Sequence, residues 1–359
     1  MSINLADAAI GRDNNFNLFR LLAAWSVLVS HSFAIVSGDP GTEPLVQWLG
    51  VTPASLAVDA FFFTSGFLVT NSLVANSGTG ARGLLRFALA RIFRIFPALV
   101  VMVLLTILIL SLFFTPLPLG EFLQHEQTTR YLLKNSTLFW GTTGSLPGVF
   151  SALPLRNVIN GSLWTLPFEV RMYVALGGLW LLLAPLAGHR KRVFQGLILL
   201  IAVGALVTHL FALLWEGELD QRRRLTFLFF AGAACWLFRS SIRLNTRNFV
   251  MLAIAVGAST LDKNVFALVY HLGLSYLMLW IAYVPGGVLR KYNRMGDFSY
   301  GLYIWAFPVQ QAIVSVNPGI GPGHHILYST VVTLFFAILS WHLIEKPALR
   351  LVRKEVAHG

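Results

Sequence analysis

The spacing of its apolar runs constrains this chain more than anything else. Ten segments rich in Leu, Ile, Val, Phe and Ala follow one another, at roughly 16–36, 56–75, 95–115, 162–184, 193–214, 225–238, 248–261, 264–284, 299–316 and 325–344. A helix rises 1.5 Å per residue, so about 20 apolar residues cross the hydrocarbon layer of a bilayer. The segments at 225–238 and 248–261 are short for that task. Only 12% of the residues are charged, about half the share in a soluble domain. The chain is therefore expected to be all-α, a polytopic integral membrane protein with about ten transmembrane helices. It reads as one membrane domain, 1–359, with a basic tail from about 345.

Ten crossings put both termini on one side, and the basic residues indicate which. Arg82, Arg86, Arg91 and Arg94 alternate with apolar spans in step with Arg190 to Arg192, Arg239 to Arg247, Arg290 to Arg294 and the tail from Lys346. The intervening stretches 37–55 and 317–323 have no Lys or Arg. Cytoplasmic loops carry that excess, so both termini are expected in the cytoplasm. Arg222, Arg223 and Arg224 run against the pattern, partly offset by Glu216, Glu218 and Asp220. Topology thus accounts for the net charge of +12 without nucleic acid. The first residues have neither a basic n-region nor a cleavage site, so no signal peptide is expected to be removed. The lone Cys235 reads as packing.

Ionisable residues inside such spans are costly and point to function. Arg20 and His31 share the first span, eleven residues apart, hence on one face and roughly 16 Å apart along the axis. Orientation puts Arg20 near the cytoplasm and His31 in the outer half. Asp59 enters the second span at a comparable outer depth. A carboxylate beside an imidazole fixes its tautomer and supports a general base; a structural hydrogen bond between two helices is the alternative. Glu169 lies in the outer half of the fourth span, sharing a face with Tyr173 but not Arg171, and an ion pair is its bland reading. Arg91 and Arg94, three apart at the cytoplasmic mouth of the third span before Pro97, suit a phosphate clamp or plain anchoring to anionic lipid.

Other features weigh less. Gly66 suits close helix packing. Tyr300 and Tyr303 fit interface aromatics equally well, and His209, His271 and His342 read as lone packed histidines. His324 and His325 are placed in an outer loop without partners at ligand spacing, so no metal site is expected. Residues 116–161, the longest outer stretch, carry an amphipathic piece near Arg130 to Trp140 suited to cover a site.

Taken in order, these residues resemble the acyltransferase 3 family of integral-membrane O-acyltransferases. The resemblance runs through Arg20 to His31, VDAFFFTSGFLVTNSL, RIFRIFP, SLWTLPFEVRMYV, GDFSYGLYIWAFPVQQ and HLIEKP. It implies transfer of an acyl group, acetyl in the first place, from cytoplasmic acyl-CoA to a hydroxyl of a carbohydrate or glycolipid on the outer side of a bacterial cytoplasmic (inner) membrane. His31 takes the position of the family's catalytic histidine, and Asp59 and Glu169 match recurrent acidic positions. Arg20, Arg91 and Arg94 match arginines placed toward the donor. Many members carry a further His where this chain has Ala306. Some have a fused extracytoplasmic domain, and a chain without one is expected to pass the acyl group directly to its acceptor. His31 as general base, or as a transient acyl carrier, is the implied mechanism. A proton-coupled transporter or lipid flippase using the same residues is the rival reading.

Overall fold

The computed structural model describes the chain except residues 1, 12, 77–79, 218, 219 and 359. Glu218 lies outside the described residues. Helices dominate: α1 (Phe16–Ser37), α2 (Pro53–Asn76), α3 (Gly80–Phe113), α4 (Leu166–Leu182), α5 (Arg190–Phe211), α6 (Gln221–Leu237), α7 (Thr246–Ser259), α8 (Lys263–Tyr283), α9 (Ser299–Val316) and α10 (Pro322–Ser340). One antiparallel sheet pairs β1 (Ser2–Asn4) with β2 (Arg243–Asn245), Ile3 facing Leu244.

Each expected span coincides with a helix, and among the described residues seven are long and apolar enough to cross a membrane. The other three are α6, α7 and α9, of 17, 14 and 18 residues. Local chemistry sets two of these limits. Asp220 caps α6 by accepting the amides of Arg222 and Arg223, so that helix opens on three arginines. Asn245 caps α7 directly after β2.

The third span departs most from expectation. Arg82, Arg86, Arg91 and Arg94 lie not in a loop but in a 34-residue helix. Leu84, Phe87, Ala88 and Ile95 continue the apolar periodicity between the arginines, which is why the helix does not stop. At 1.5 Å per residue α3 is about 51 Å long, well beyond a hydrocarbon layer. Pro97 accordingly sits inside the helix, not near its start.

The chain divides into two compact units, each assembled from separated segments. The first comprises Met1–Arg20, Val58–Phe87 and Arg171–Gly296. Its tightest contact joins α2 and α6. A Cβ on Gly66 would lie 1.9 Å from the Phe229 carbonyl oxygen, and one on Gly232 would lie 2.1 Å from that of Phe63. Two glycines on facing helices thus admit a backbone-to-backbone approach, the close-packing role expected of Gly66. The Asn15 amide donates to the Ile281 and Pro285 carbonyls, at 3.0 and 2.9 Å, and ties the N-terminal segment to the end of α8.

The second unit comprises Leu21–Ala57, Ala88–Val170 and Asp297–Gly359. Here α9 packs on α10, with Gly301 against Ala337. The Gln310 amide bridges from α9 to the Leu28 carbonyl and the Ser32 hydroxyl of α1, at 2.8 and 2.7 Å. His325 is not in a loop: it lies in the first turn of α10, fully buried, with Nε2 3.0 Å from the Gln310 carbonyl. Residues 114–161 hold two short helices, Leu119–Gln124 and Glu126–Thr137. All the described non-glycine residues with positive φ, Leu138, Phe150 and Asn157, fall in this stretch. Left-handed backbone costs an ordinary residue roughly 1–2 kcal/mol, so the stretch is held in a defined conformation by its contacts.

Candidate active site

His31 projects from α1 within the second unit, half-buried, against α9 and the segment that leads into α4. Its ring packs edge-on against Phe307, centroids 5.2 Å apart. Ser162 Oγ lies 3.5 Å from His31 Nδ1, a long hydrogen bond. No other polar partner reaches the ring among the described residues of this unit.

A proline explains why Ser162 stands there. Pro308 lies inside α9 and has no N–H, so the Ile304 carbonyl loses its helical donor. The Asn160 side-chain amide donates to that carbonyl at 2.9 Å, while its oxygen accepts the Ser162 amide at 3.1 Å. Between them Gly161 lies flat on Phe307; a Cβ there would come within 2.7 Å of the ring. The Tyr303 hydroxyl donates to the Ser162 carbonyl at 2.6 Å and shares a 2.6 Å bond with Thr165. The Glu169 carboxylate bears electrostatically on that same hydroxyl. His31, Ser162, Tyr303 and Glu169 therefore belong to one polar neighbourhood, and Tyr303 is a buried strut, not an interface aromatic.

Arg94 occupies a second polar centre of this unit. Its guanidinium donates to Asp297 at 2.5 Å and to Glu345 at 3.0 Å. The ring of Tyr300, also buried, lies 5.5 Å away, and its hydroxyl donates to the Ile95 carbonyl. Asp297 works twice, since its other oxygen accepts from the backbone and hydroxyl of Ser299 at the start of α9. Glu345 ends a π-helical turn, Trp341–Glu345, and accepts from Ser340 at 2.9 Å. Wide turns of this kind recur at functional sites. Arg94 is thus committed to two carboxylates. Arg91 lies one turn earlier on the same helix and has interactions of its own.

Arg20 and Asp59 belong to the first unit. The Arg20 guanidinium stands over the Phe61 ring at 5.8 Å. Asp59, 1% exposed, pairs with Arg224 at 3.2 Å and accepts from the Tyr270 hydroxyl at 3.3 Å. Within its own unit Asp59 is thus held by Arg224 and Tyr270, and within its own unit His31 faces Ser162. His209 and His271 are not lone, since their rings meet at 4.5 Å. No cluster of three or more His, Cys, Asp or Glu suited to a metal occurs among the described residues.

With this geometry in place, comparison with known proteins identifies the chain. The profile of the acyltransferase domain family matches residues 13–344. The chain belongs to the acyltransferase 3 family. An O-acetyl transferase of Shigella phage Sf6 is 32% identical, over 94% of this chain and 96% of the relative. Nodulation protein 10 of Rhizobium leguminosarum bv. viciae is 27% identical, over 97% and 96%. The putative peptidoglycan O-acetyltransferase YrhL of Bacillus subtilis is 25% identical, over 81% of this chain and half of the relative. No solved structure matches the chain.

In this acyltransferase, sequence reasoning missed Ser162, Asn160, Asp297 and Glu345 as site residues. Two signals were present. The chain has only 15 acidic residues, so an acid beside an apolar span needed a basic partner. Pro308 inside a span likewise required a donor from elsewhere for the carbonyl it frees.

Proposed function

We propose that the protein is a membrane O-acetyltransferase of the bacterial cytoplasmic membrane. It carries an acyl group, acetyl in the first place, from cytoplasmic acyl-CoA to a hydroxyl of a glycan or glycoconjugate on the outer side. The observation that carries this reading is the His31 ring, half-buried, held by Phe307 and Ser162 through Nδ1, with Nε2 uncommitted. Relatives named O-acetyl transferase and peptidoglycan O-acetyltransferase support the acetyl group and a glycan acceptor.

In this proposal His31 Nδ1 carries its proton toward Ser162 Oγ, which leaves Nε2 as the base. Nε2 takes the proton of the acceptor hydroxyl as that oxygen attacks the thioester carbonyl. The tetrahedral adduct expels the CoA thiolate, and the proton passes from His31 to the sulfur. In a covalent variant His31 changes role: Nε2 attacks the thioester carbonyl and expels the CoA thiolate, and the acceptor oxygen then displaces Nε2 from the acyl carbon as its proton goes to the thiolate. Glu169, whose charge bears on the Tyr303 hydroxyl, favours the imidazolium electrostatically in this proposal. Asp59 is engaged by Arg224 and Tyr270, so its share in the reaction rests on the family resemblance alone.

Donor binding is assigned to Arg91 and, on the family resemblance, to Arg20. Arg94 lies between two carboxylates, and the three sum to a local charge of minus one. Arg94 is therefore read as fixing α3 and the π-turn around the donor, with Arg91 supplying the cation for phosphate. Purified protein incubated with radiolabelled acetyl-CoA and candidate glycans tests the proposal. Release of CoA in step with label on a glycan is expected. Solute movement without acetyl-CoA consumption would overturn it in favour of a carrier.

A further inference from the structure

The first unit buries a cluster of five polar residues. Four helices contribute to it: Asp59 on α2, His209 on α5, Arg224 on α6, and Tyr270 with His271 on α8. None is more than 9% exposed. The members touch in sequence. Arg224 Nε lies 3.2 Å from Asp59 Oδ1, and the Tyr270 hydroxyl donates to Asp59 Oδ2 at 3.3 Å. The Tyr270 ring meets His271 at 5.1 Å, and His271 meets His209 at 4.5 Å. Arg224 Nε and Asp59 Oδ1 face each other, whereas three polar atoms of the histidines are buried without a hydrogen bond: both ring nitrogens of His209 and His271 Nε2. Native structures rarely leave even one such atom without an explanation.

Proton accounting specifies the missing partner. His271 Nδ1 lies 2.6 Å from the Ala267 carbonyl, so it carries the ring proton, and Nε2 is an acceptor. A neutral His209 adds one donor and one acceptor. The cluster therefore asks for a group that both donates and accepts. A cation would face Arg224 and a ring N–H. An anion would face Asp59 and two ring lone pairs. The residues are too enclosed for a sugar. We propose that this cluster is an internal hydration site, holding an ordered water bonded to His209 and His271 beside the Asp59–Arg224 pair. A buried water makes about three hydrogen bonds, so three open positions call for about one water. The water then joins α5 to α8, next to the ion pair that joins α2 to α6.

Hydroxyl-radical labelling by X-ray radiolysis of the intact protein, read residue by residue by mass spectrometry, tests this, because the radical forms from water in place. After correction for intrinsic reactivity, Tyr270, His209 and His271 should label about tenfold faster than Phe63 and Phe229, which are fully buried in the same unit. Rates no higher than those of the two phenylalanines would overturn the proposal. Thermal stability supplies a second arm. If the cluster is dry, His209→Phe removes two orphaned atoms and raises Tm; if it is wet, the same change strands the water and lowers Tm. His209→Asn, which keeps a donor and an acceptor, should lose less than His209→Phe. A rise for His209→Phe, or an equal fall for both variants, counts against the site.

Discussion

At the scale of single residues the account rests on what each side chain has left to offer. His31 keeps one nitrogen uncommitted because Ser162 faces the other, so Ser162→Ala should cost about tenfold in kcat, the worth of one orienting hydrogen bond. A loss as complete as that of a His31 variant would instead make Ser162 a nucleophile. Because a base must be neutral, transfer should fall as pH is lowered through the His31 titration, by about one log unit per pH unit; a flat profile there would contradict the role. Arg94 makes a different prediction. Removing it leaves Asp297 and Glu345 facing each other, so Arg94→Ala should destabilise the protein by roughly 3–5 kcal/mol. Thermal unfolding checks this, and a variant of native stability with only a raised KM for acyl-CoA would return Arg94 to the donor. In the sequence the candidate residues His31, Arg91, Arg94 and Glu169 already stand out as ionisable residues in or beside apolar spans. What was not legible is pairing. The span pattern places Asp59 and His31 at similar expected depths, and it gives no hint that Asp59 meets Arg224, 165 residues further on. Spacing reports depth and face within one helix and is silent on which helices become neighbours.

At the scale of elements, two glycines and one proline set the geometry. Gly66 and Gly232 let α2 and α6 approach until a methyl group on either would strike backbone oxygen. Gly66→Ala should therefore cost at least about 1–3 kcal/mol and lower Tm, as overpacking does; an unchanged Tm would show that the crossing can open. Pro308 explains the other local arrangement, since the carbonyl it frees is taken by Asn160, which seats Ser162. Asn160→Ala should cost roughly 1–3 kcal/mol through the orphaned carbonyl and amide, and kcat should fall with it. The ten helices were readable from apolar periodicity, whereas the reach of α3 was not. Arginines every three to five residues read as a basic loop when only charge is counted. They read as one flank of a helix when the leucines and phenylalanines between them are counted too.

At the scale of the whole molecule, the basic clusters predict the path through the membrane. In a background where Cys235 is replaced by Ala, single cysteines report sidedness. Leu123→Cys should react with a membrane-impermeant thiol reagent in intact cells. Ser2→Cys and Leu351→Cys should react only after permeabilisation, and labelling of either in intact cells would overturn the cytoplasmic termini. The interleaving of the two compact units lay beyond a reading by spans, because each draws on three separated stretches of chain. Acyl transfer by this molecule stands most directly on the His31 ring. The decisive measurement is the rate at which purified His31→Ala, folded and inserted as wild type, moves label from acetyl-CoA to the acceptor. The account predicts a fall of about 10²–10⁴-fold, the range of a lost general base; transfer at the wild-type rate would contradict it.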